Sequence, residues 1–477
     1  MNLLDSRRRT KIVATIGPAS GDIQGLRALM LAGMDVARIN TAHIDPPEIP
    51  EMVALIREVA ADQQLMIGIL LDLAGPKIRV ANVPRKGRQL VPDEKLVLGT
   101  GSEADLVVQP NLKFIDVADR ARVKLDDGRF ELEVVEQLSD TSLLTRVIYG
   151  GLLKPKKGVN FPGVALGLDA FTTRDEAMLR AGLECEIDWV ALSFVRTPQD
   201  RAAIDEIMVA TGRRLPVMAK IEKPEAVAAL EDIVAAFDGV MVARGDLGVE
   251  LPLEEVPLIQ KRIIRCCNAM GKPVVTATQL LDSMVTAPTP TRAEVNDVAN
   301  AILDGTDALM LSNETAVGRY PVKAVETLDA VARTTETATS DRVIRRQDDY
   351  ESRGIANAIS HAASNMVRES DISVIVTMTH SGITARGVSR NRPRARIIAL
   401  SPLLETCRQL QLSWGVTAFQ VPEHTNTDEM IAAAERLLLR EGLVKPGDHF
   451  IFTAGIPVGR AGTTNLLKVQ QVGEQLA

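Results

Sequence analysis

Eight apolar, β-branched segments recur along the first two-thirds of the chain, and helix-like segments with apolar residues three and four apart lie between them. This alternation predicts a parallel sheet with helices outside it, and eight units predict closure into a (β/α)8 TIM barrel. The predicted strands are residues 12–16, 36–40, 67–72, 189–194, 217–222, 240–246, 274–279 and 309–314.

The ends of these strands carry side chains that can bind phosphate, a metal ion or a carboxylate, and only the first strand lacks one. In a barrel of parallel strands, the carboxyl ends lie on one face, where loops leave room for a substrate. We therefore expect an active site on this face. Its candidate residues are Asn40, Asp72, Ser193, Lys220, Glu222, Asp246, Thr278, Ser312 and Glu314.

The strand–helix alternation stops after the third strand, and short strands with turns follow, including a hairpin signal at Asp126-Asp127-Gly128. This pattern predicts a small β domain inserted at a barrel loop, in a position that suits a lid excluding water. A second α/β section begins after about residue 340 and has too few units for another barrel, so we expect an open sheet. The predicted domains are the barrel (1–75 and 168–340), a β-barrel lid (76–167) and a C-terminal regulatory α/β domain (341–477).

Composition excludes several classes of protein. A hydrophobic content of 46% with 25% charged residues is typical of a globular protein, and a net charge of −7 argues against a nucleic-acid surface. No apolar run approaches the roughly 18 residues of a membrane span. The four cysteines fit neither a zinc site nor a disulfide framework, which favours a cytoplasmic location. The chain has no Walker A or Rossmann glycine motif.

Two adjacent strand ends combine charges that suit phosphoryl chemistry. Alternation along a strand places Lys220 and Glu222 on one face, and Asp246 ends the next strand. Two carboxylates suit Mg²⁺ or Mn²⁺, and an ammonium beside them would stabilise developing negative charge. An alternative interpretation is a buried Lys–Glu pair that stabilises the barrel. Thr278 could orient a carboxylate or relay a proton, or could be structural.

Taken together, these motifs resemble those of the pyruvate kinases over essentially the whole chain. The resemblance implies the reaction of phosphoenolpyruvate with ADP to give pyruvate and ATP in glycolysis, with Mg²⁺. It also implies a homotetramer, in which Arg292 is a candidate interface residue. The matching segments are residues 11–20, 35–40, 71–79, 218–222, 240–250, 276–284, 291–294 and 311–318.

The resemblance also implies roles for individual residues. Lys220 resembles the catalytic lysine, and Glu222 and Asp246 resemble the metal ligands. The Gly245 amide and Thr278 resemble the groups that hold the substrate carboxylate, with Thr278 near the face where the enolate is protonated. Three further sets are a contact to the transferring phosphate (Arg38), nucleotide contacts (Asn40, His43, Arg79 and Lys157 of the Lys156-Lys157 pair) and supporting polar residues (Asn40, Asp72, Ser193, Ser312 and Glu314).

The chain departs from the family pattern at the site of the monovalent cation. Members that require K⁺ hold it with four side-chain oxygens, of which Asn40 and Asp72 remain here. The other two positions are Ala42 and Leu73, and Lys77 stands where those members have Glu. A tethered ammonium could replace the free cation. We therefore predict activity without K⁺, although the loop that carries His43 is also altered.

A second phosphate site is predicted in the C-terminal section. Residues 379–384 follow a strand and open a helix-like segment, where hydroxyls and backbone amides favour phosphate. The resemblance implies an allosteric sugar phosphate or nucleotide held by Thr379, Ser381, Gly382 and Thr384, with residues 459–465 as a facing loop. A plain capped turn is the alternative.

Two other functions are compatible with parts of this pattern. A barrel lyase acting on phosphoenolpyruvate or pyruvate would share the Glu222–Asp246 pair but would need neither the lid nor Lys77. A metabolite-binding regulator without turnover would keep the fold, although intact Lys220 and Thr278 argue against it.

Overall fold

The structure is a computed structural model that describes residues 8–474, except 116, 119, 165, 340–353, 425 and 457–463. Its strands, in chain order, are β1 (Lys11–Thr15), β2 (Val36–Asn40), β3 (Gly68–Leu73), β4 (Arg79–Val80), β5 (Arg88–Leu90), β6 (Lys95–Gly99), β7 (Leu106–Gln109), β8 (Arg122–Leu125), β9 (Phe130–Ser139), β10 (Ser142–Tyr149), β11 (Gly151–Leu153), β12 (Val159–Asn160), β13 (Trp189–Leu192), β14 (Val217–Ile221), β15 (Gly239–Ala243), β16 (Val274–Ala277), β17 (Ala308–Leu311), β18 (Val374–Met378), β19 (Arg396–Ser401), β20 (Val416–Gln420), β21 (His449–Gly455) and β22 (Thr464–Gln471).

The α-helices are α1 (Ile23–Ala32), α2 (Glu48–Asp62), α3 (Thr173–Leu183), α4 (Ala202–Thr211), α5 (Pro224–Ala228), α6 (Leu230–Ala236), α7 (Arg244–Glu250), α8 (Val256–Met270), α9 (Arg292–Asp304), α10 (Asn313–Ala316), α11 (Pro321–Thr339), α12 (Ile355–Glu369), α13 (Ile383–Ser389), α14 (Leu404–Gln409) and α15 (Thr427–Arg440). Short 3-10 turns cover Thr41–His43, Pro198–Arg201, Asp282–Val285 and Leu410–Leu412. In the described parts of the chain, no helix combines the length and apolar composition needed to cross a membrane.

The eight predicted barrel strands are confirmed. Strands β1, β17, β16, β15, β14, β13, β3 and β2 pair in that order, all parallel, and close into a barrel. Their residues are buried on both faces, as β-branched parallel strands covered by helices require. Side chains such as Trp189, Met218 and Met241 fill the interior. Because the interior is packed, a substrate site must lie at an end of the barrel.

The C-terminal domain closes the amino-terminal end of the barrel. Trp189, at the start of β13, donates a hydrogen bond from Nε1 to the Gln409 carbonyl over 3.0 Å. Leu412 is fully buried in the same cluster as the interior side chains of the barrel. The carboxyl ends of the strands are therefore the open end.

The inserted β domain lies between β3 and α3 and has its own hydrophobic core. Its sheets have the orders β12-β8-β9-β10-β6-β7-β4 and β11-β5. The predicted hairpin joins β8 to β9 through Asp126, Asp127 and Gly128, with φ of 52°, 57° and 85°, the left-handed values of such a turn. The fold class is thus confirmed for this part of the chain.

The C-terminal α/β domain is an open five-stranded sheet of order β20-β19-β18-β21-β22, which confirms the predicted open sheet. Two strands escaped the sequence pattern, β20 and the antiparallel edge strand β22. Most side chains of β22 are only partly buried, so it lacks the continuous apolar run of the central strands. The residue boundaries assigned to the three domains stay a prediction.

Candidate active site

A chain of ion pairs crosses the carboxyl-terminal face of the barrel. Arg38 Nε lies 2.7 Å from Asp72 Oδ2, and Lys220 Nζ lies 3.4 Å from Asp72 Oδ1. Lys220 Nζ also lies 2.9 Å from Glu222 Oε1, and none of these four side chains is more than 12% exposed. Strands β2, β3, β13 and β14 are neighbours, so barrel closure brings together charges that are far apart in the sequence.

Lys220 is held in one position by three acceptors. Besides its two carboxylate partners, Nζ donates to Ser193 Oγ over 2.7 Å, and Ser193 in turn donates to the Leu73 carbonyl over 2.6 Å. Burial acts to lower the pKa of Lys220, but Asp72, Glu222 and Asp246 outweigh it and raise the pKa well above its ordinary value. The side chain is therefore a fixed positive charge at neutral pH and not a general base.

Asp72 serves both cations at once. Burial acts to raise its pKa, but Lys220 and Arg38 hold the pKa of this carboxyl below its ordinary value. Arg38 also donates from Nη1 to Thr15 Oγ1 over 2.8 Å, which fixes the guanidinium at the edge of the site.

Glu222 and Asp246 form a pair of carboxylates beside Lys220. Burial raises the pKa of Glu222, and Asp246 raises it further while Lys220 opposes the shift, so the two acids repel each other. Glu222 Oε2 accepts from the Phe194 amide over 3.0 Å, and Phe194 has a φ of 58°, a strained value for a bulky residue. A bound cation would relieve the repulsion between these acids.

The donor set fits a hard divalent cation. The described residues contain no cluster of three or more His, Cys, Asp or Glu side chains that could hold a metal ion. Mg²⁺ normally takes one or two protein carboxylates and completes its octahedron with water and substrate oxygens, so the Glu222–Asp246 pair is sufficient.

Thr278 and Gly245 meet where β15 and β16 end. Thr278 Oγ1 accepts from the Gly245 amide over 2.7 Å and donates to the Ala277 carbonyl over 2.6 Å. Thr278 has a φ of 67°, which is unusual for a β-branched residue and is typical of strained functional sites. Arg244 supports the turn with a 2.8 Å bond to the Thr278 carbonyl and a 2.7 Å ion pair to Asp297.

His43 and Arg79, two of the residues predicted to contact the nucleotide, lie in a cationic cluster with Lys77 and Arg38. Burial lowers the pKa of His43, and the positive charges of Arg79, Lys77 and Arg38 lower it further. Converging positive charges are suited to phosphate oxygens. Lys77 is exposed, and its Cε lies near Gly158 of the lid.

Three nucleotide-side residues also hold local structure. Arg79 donates to the Lys156 carbonyl over 3.0 Å, and Lys157 forms a 2.8 Å ion pair with Asp126 within the lid. Asn40 Oδ1 accepts from the Ala42 amide over 3.2 Å and caps the turn that carries His43.

Ser312 and Glu314 support the loop that follows Thr278. Glu314 is 2% exposed, and its carboxylate accepts from the Ser312 amide over 2.8 Å and from the Leu281 amide over 3.2 Å. Burial raises the pKa of Glu314. This carboxylate therefore ties the end of β17 to the loop after β16, behind the site.

Sequence reasoning missed several residues that position the site. Thr15 and Asp297 orient the two arginines described above, and Glu250 joins barrel to lid by accepting from Lys223 over 2.7 Å and from Asn160 over 3.0 Å. Lys124 of the lid donates to the Val249 carbonyl over 2.6 Å. Glu250 lies on α7, the same short helix as Asp246. Its position four residues after a predicted metal ligand was the feature of the sequence that could have identified it.

The predicted effector loop forms a tight turn before α13. Thr379 Oγ1 accepts from the amide of Gly382, whose φ is 78°, over 2.9 Å. Thr384 Oγ1 lies 2.7 Å from Thr464 Oγ1, which brings the end of the predicted facing loop beside it. Residues 457–463, which include most of that loop, lie outside the described residues.

The fold is a TIM barrel with an inserted β domain, and its open end carries a fixed ammonium and a pair of acids. These features are those of a phosphotransferase built on a barrel. Two family models match the chain, "Pyruvate kinase, barrel domain" over residues 7–325 and "Pyruvate kinase, alpha/beta domain" over residues 357–470. The chain belongs to the pyruvate kinase family.

Curated relatives match nearly the full length. The chain is 47% identical to the "Pyruvate kinase" of Geobacillus stearothermophilus over 485 residues, covering 99% of this chain and 81% of the relative. It is 44% identical to "Pyruvate kinase 2" of Synechocystis sp., covering 98% and 79%. It is 41% identical to the "Pyruvate kinase" of Methylorubrum extorquens, covering 98% of each. These matches support a phosphotransferase and neither the lyase nor the inactive regulator.

Proposed function

We propose that the chain transfers the phosphoryl group of phosphoenolpyruvate to ADP, giving pyruvate and ATP. The reaction belongs to glycolysis and takes place in the cytoplasm. The family uses these substrates and a divalent metal. The observation that carries the proposal is that Lys220 is fixed between Asp72 and Glu222. Asp246 lies close enough to raise the pKa of both Lys220 and Glu222. The four cysteines are free thiols, which favours a reducing compartment.

Phosphoryl transfer needs positioning and charge neutralisation more than covalent catalysis. Glu222 and Asp246 would hold Mg²⁺ or Mn²⁺, which neutralises phosphoryl and enolate oxygens when bound. The Lys220 ammonium faces the same space and stabilises the charge that builds on the transferring group and on the enolate oxygen. Arg38, held by Asp72 and Thr15, contacts the phosphoryl oxygens.

The nucleotide enters on the cationic side of the site. His43, Arg79 and Lys157 contact the ADP phosphates, with Asn40 holding the His43 turn. A terminal phosphate oxygen of ADP forms the new P–O bond as the P–O bond of phosphoenolpyruvate breaks, and the electron pair of the broken bond stays on the enolate. Lid contacts at Glu250 and Val249 keep water from competing as an acceptor.

Thr278 and the Gly245 amide bind the substrate carboxylate. The two groups lie 2.7 Å apart, and a carboxylate that replaces their present hydrogen bonds would accept from both. The Thr278 hydroxyl then donates its proton to the enolate carbon and takes one up from water, which completes pyruvate. Formation of the ketone makes transfer towards ATP favourable.

We further propose that Lys77 replaces the monovalent cation. In support, Lys77 contributes to the positive potential at His43, whose turn is capped by Asn40. Turnover in tetramethylammonium buffer is therefore expected to equal turnover in K⁺ buffer, and Lys77→Glu should need added K⁺. A large loss of wild-type rate in tetramethylammonium would contradict this role.

Assembly and regulation follow the family pattern in this proposal. The chain forms a homotetramer, for which Arg292, exposed at the start of α9, is a candidate interface residue. A phosphorylated effector binds at Thr379, Ser381, Gly382 and Thr384. Light scattering of Arg292→Ala and an activation screen of sugar phosphates and nucleotides test these two points.

One experiment tests the reaction itself. Pyruvate formation from phosphoenolpyruvate is measured by a coupled assay with and without ADP, in the presence of Mg²⁺. A pyruvate kinase forms pyruvate only with ADP, and equal rates in both conditions would refute the proposal.

A further inference from the structure

A polar pocket that is partly open to solvent lies between the amino-terminal end of the barrel and the C-terminal domain. The barrel contributes Asn268, Lys272 and Asp307 to its lining, and the C-terminal domain contributes Arg386, Ser389 and Arg390. Lys272 and Asp307 lie just before β16 and β17, so the pocket lies at the opposite end of the barrel from the candidate active site.

Two cations in this cavity have no carboxylate within ion-pair distance among the described residues. Lys272 Nζ donates to the Phe237 carbonyl over 2.7 Å, and Arg386 Nη2 donates to the Ser381 carbonyl over 2.9 Å. Neutral carbonyls do not balance a charge. Arg390 adds a third positive side chain, which donates to Asn357 over 3.3 Å.

The nearby acids are already neutralised by other arginines. Asp307 forms a 3.0 Å ion pair with Arg392, and Asp238, the acid that acts on both cavity cations, lies 2.9 Å from Arg201. Burial lowers the pKa of Lys272, and Arg386 lowers it further. Burial likewise lowers the pKa of Arg386. Among the described residues, Lys272 and Arg386 therefore place positive charge in the pocket that no carboxylate pairs with directly.

Buried charges in proteins are paired, because an unpaired charge away from water is costly. We propose that this interdomain cavity binds a phosphate group, either inorganic phosphate or the phosphate of a small metabolite. The planar guanidinium of Arg386 offers paired donors for two phosphate oxygens, and Lys272 supplies a point charge from the barrel side. The pocket lining contains no residue of the proposed effector loop, although Arg386 contacts that loop at Ser381, and the site does not depend on the proposed reaction.

A phosphate bound here joins two elements that lead to functional loops. Lys272 precedes β16, whose far end carries Thr278, and Arg386 donates to Ser381 in the proposed effector loop. The ligand thus links the barrel to α13 and stabilises one arrangement of the two domains.

The test measures phosphate binding by calorimetry and by thermal unfolding at constant ionic strength. Inorganic phosphate is expected to raise the Tm of the wild-type chain by several degrees. Lys272→Met and Arg386→Met should each weaken phosphate binding at least tenfold. In phosphate-free buffer their Tm should equal or exceed that of the wild type, because two positive charges no longer repel each other in the pocket. A structural role for these cations would instead lower it.

Two control variants locate the site. Arg440→Met removes an exposed arginine of α15, and Thr384→Ala alters the proposed effector loop. Both should keep the phosphate response. Glycerol 3-phosphate, with glycerol as its control, distinguishes the two sources of phosphate: tighter binding than inorganic phosphate identifies a metabolite, and weaker binding identifies the free ion.

The proposal is overturned if phosphate leaves the wild-type Tm unchanged and gives no heat of binding. It is equally overturned if both cavity variants bind phosphate as the wild type does, or if Thr384→Ala alone abolishes binding. Should Arg386→Met fail to fold, Lys272→Met and Lys272→Gln carry the same test.

Discussion

Replacement of Lys220 by methionine separates the charge of this side chain from its size. Methionine fills similar space, but it lacks the ammonium that contacts Glu222 at 2.9 Å, Asp72 at 3.4 Å and Ser193 at 2.7 Å. The variant therefore removes the one fixed positive charge that is shared by both buried acids, and it should affect turnover and stability by different amounts.

The contacts set the expected magnitudes. Loss of one preorganised electrostatic stabiliser typically lowers kcat about 10²–10³-fold, and the enclosed position of Lys220 places it at or beyond the upper end. Removing one partner of a buried ion pair costs about 3–5 kcal/mol of stability. Because Arg38 still pairs with Asp72, only Glu222 loses its cation, so we expect about 3 kcal/mol.

The coupled pyruvate assay measures kcat, and urea unfolding measures stability. Lys11→Met is the matched control: the Lys11 side chain is only 9% exposed, lies 3.6 Å from Asp35, and stands at the opposite end of the barrel. The control should lose stability but keep most of its kcat. A Lys220→Met enzyme with kcat within about threefold of wild type would refute the assigned role, and so would a Lys11→Met control whose kcat falls as far as that of Lys220→Met.

Three further predictions follow from single contacts. Asn160→Ala removes the lid's 3.0 Å bond to Glu250, so kcat/KM should fall several-fold while the urea midpoint stays unchanged. Gly245→Ala places a Cβ 3.3 Å from Thr278 Oγ1, which must move, so kcat/KM for phosphoenolpyruvate should fall at least about tenfold. Burial raises the pKa of Asp188 to about 6, above its unfolded value, so its contribution to stability is largest below about pH 4 and is lost towards pH 6. The stability of wild type relative to Asp188→Asn, measured by urea unfolding, should therefore decrease by up to about 3 kcal/mol over that range.

Each of these has an outcome that contradicts it. Normal kinetics in Asn160→Ala would show that the lid is positioned without Glu250. Full activity in Gly245→Ala would mean that the Thr278 contact is dispensable. A stability difference between wild type and Asp188→Asn that is constant with pH would show that Asp188 does not titrate in that range.

Much of the architecture was predictable because its determinants are local. The strand–helix periodicity predicted all eight barrel strands, and the loss of that periodicity after Asp72 predicted the inserted domain. Strand alternation was enough to bring Lys220 and Glu222 together, since they are two residues apart on one strand. The edge strand β22 escaped because partial burial leaves it without a clear pattern.

The contacts between distant residues came only from barrel closure and domain packing. Arg38, Asp72 and Lys220 stand on three strands, and no periodicity specifies that one carboxylate would serve both cations. The same holds for Glu250, which meets Asn160 of the lid from 90 residues away, and for the cationic cavity between the domains. Local patterns determine which face of an element is buried, whereas distances between charges depend on how the packed elements meet. The amino-acid sequence by itself thus determined the barrel fold and the residue types at its open end. Only the tertiary structure determined which of those side chains pair.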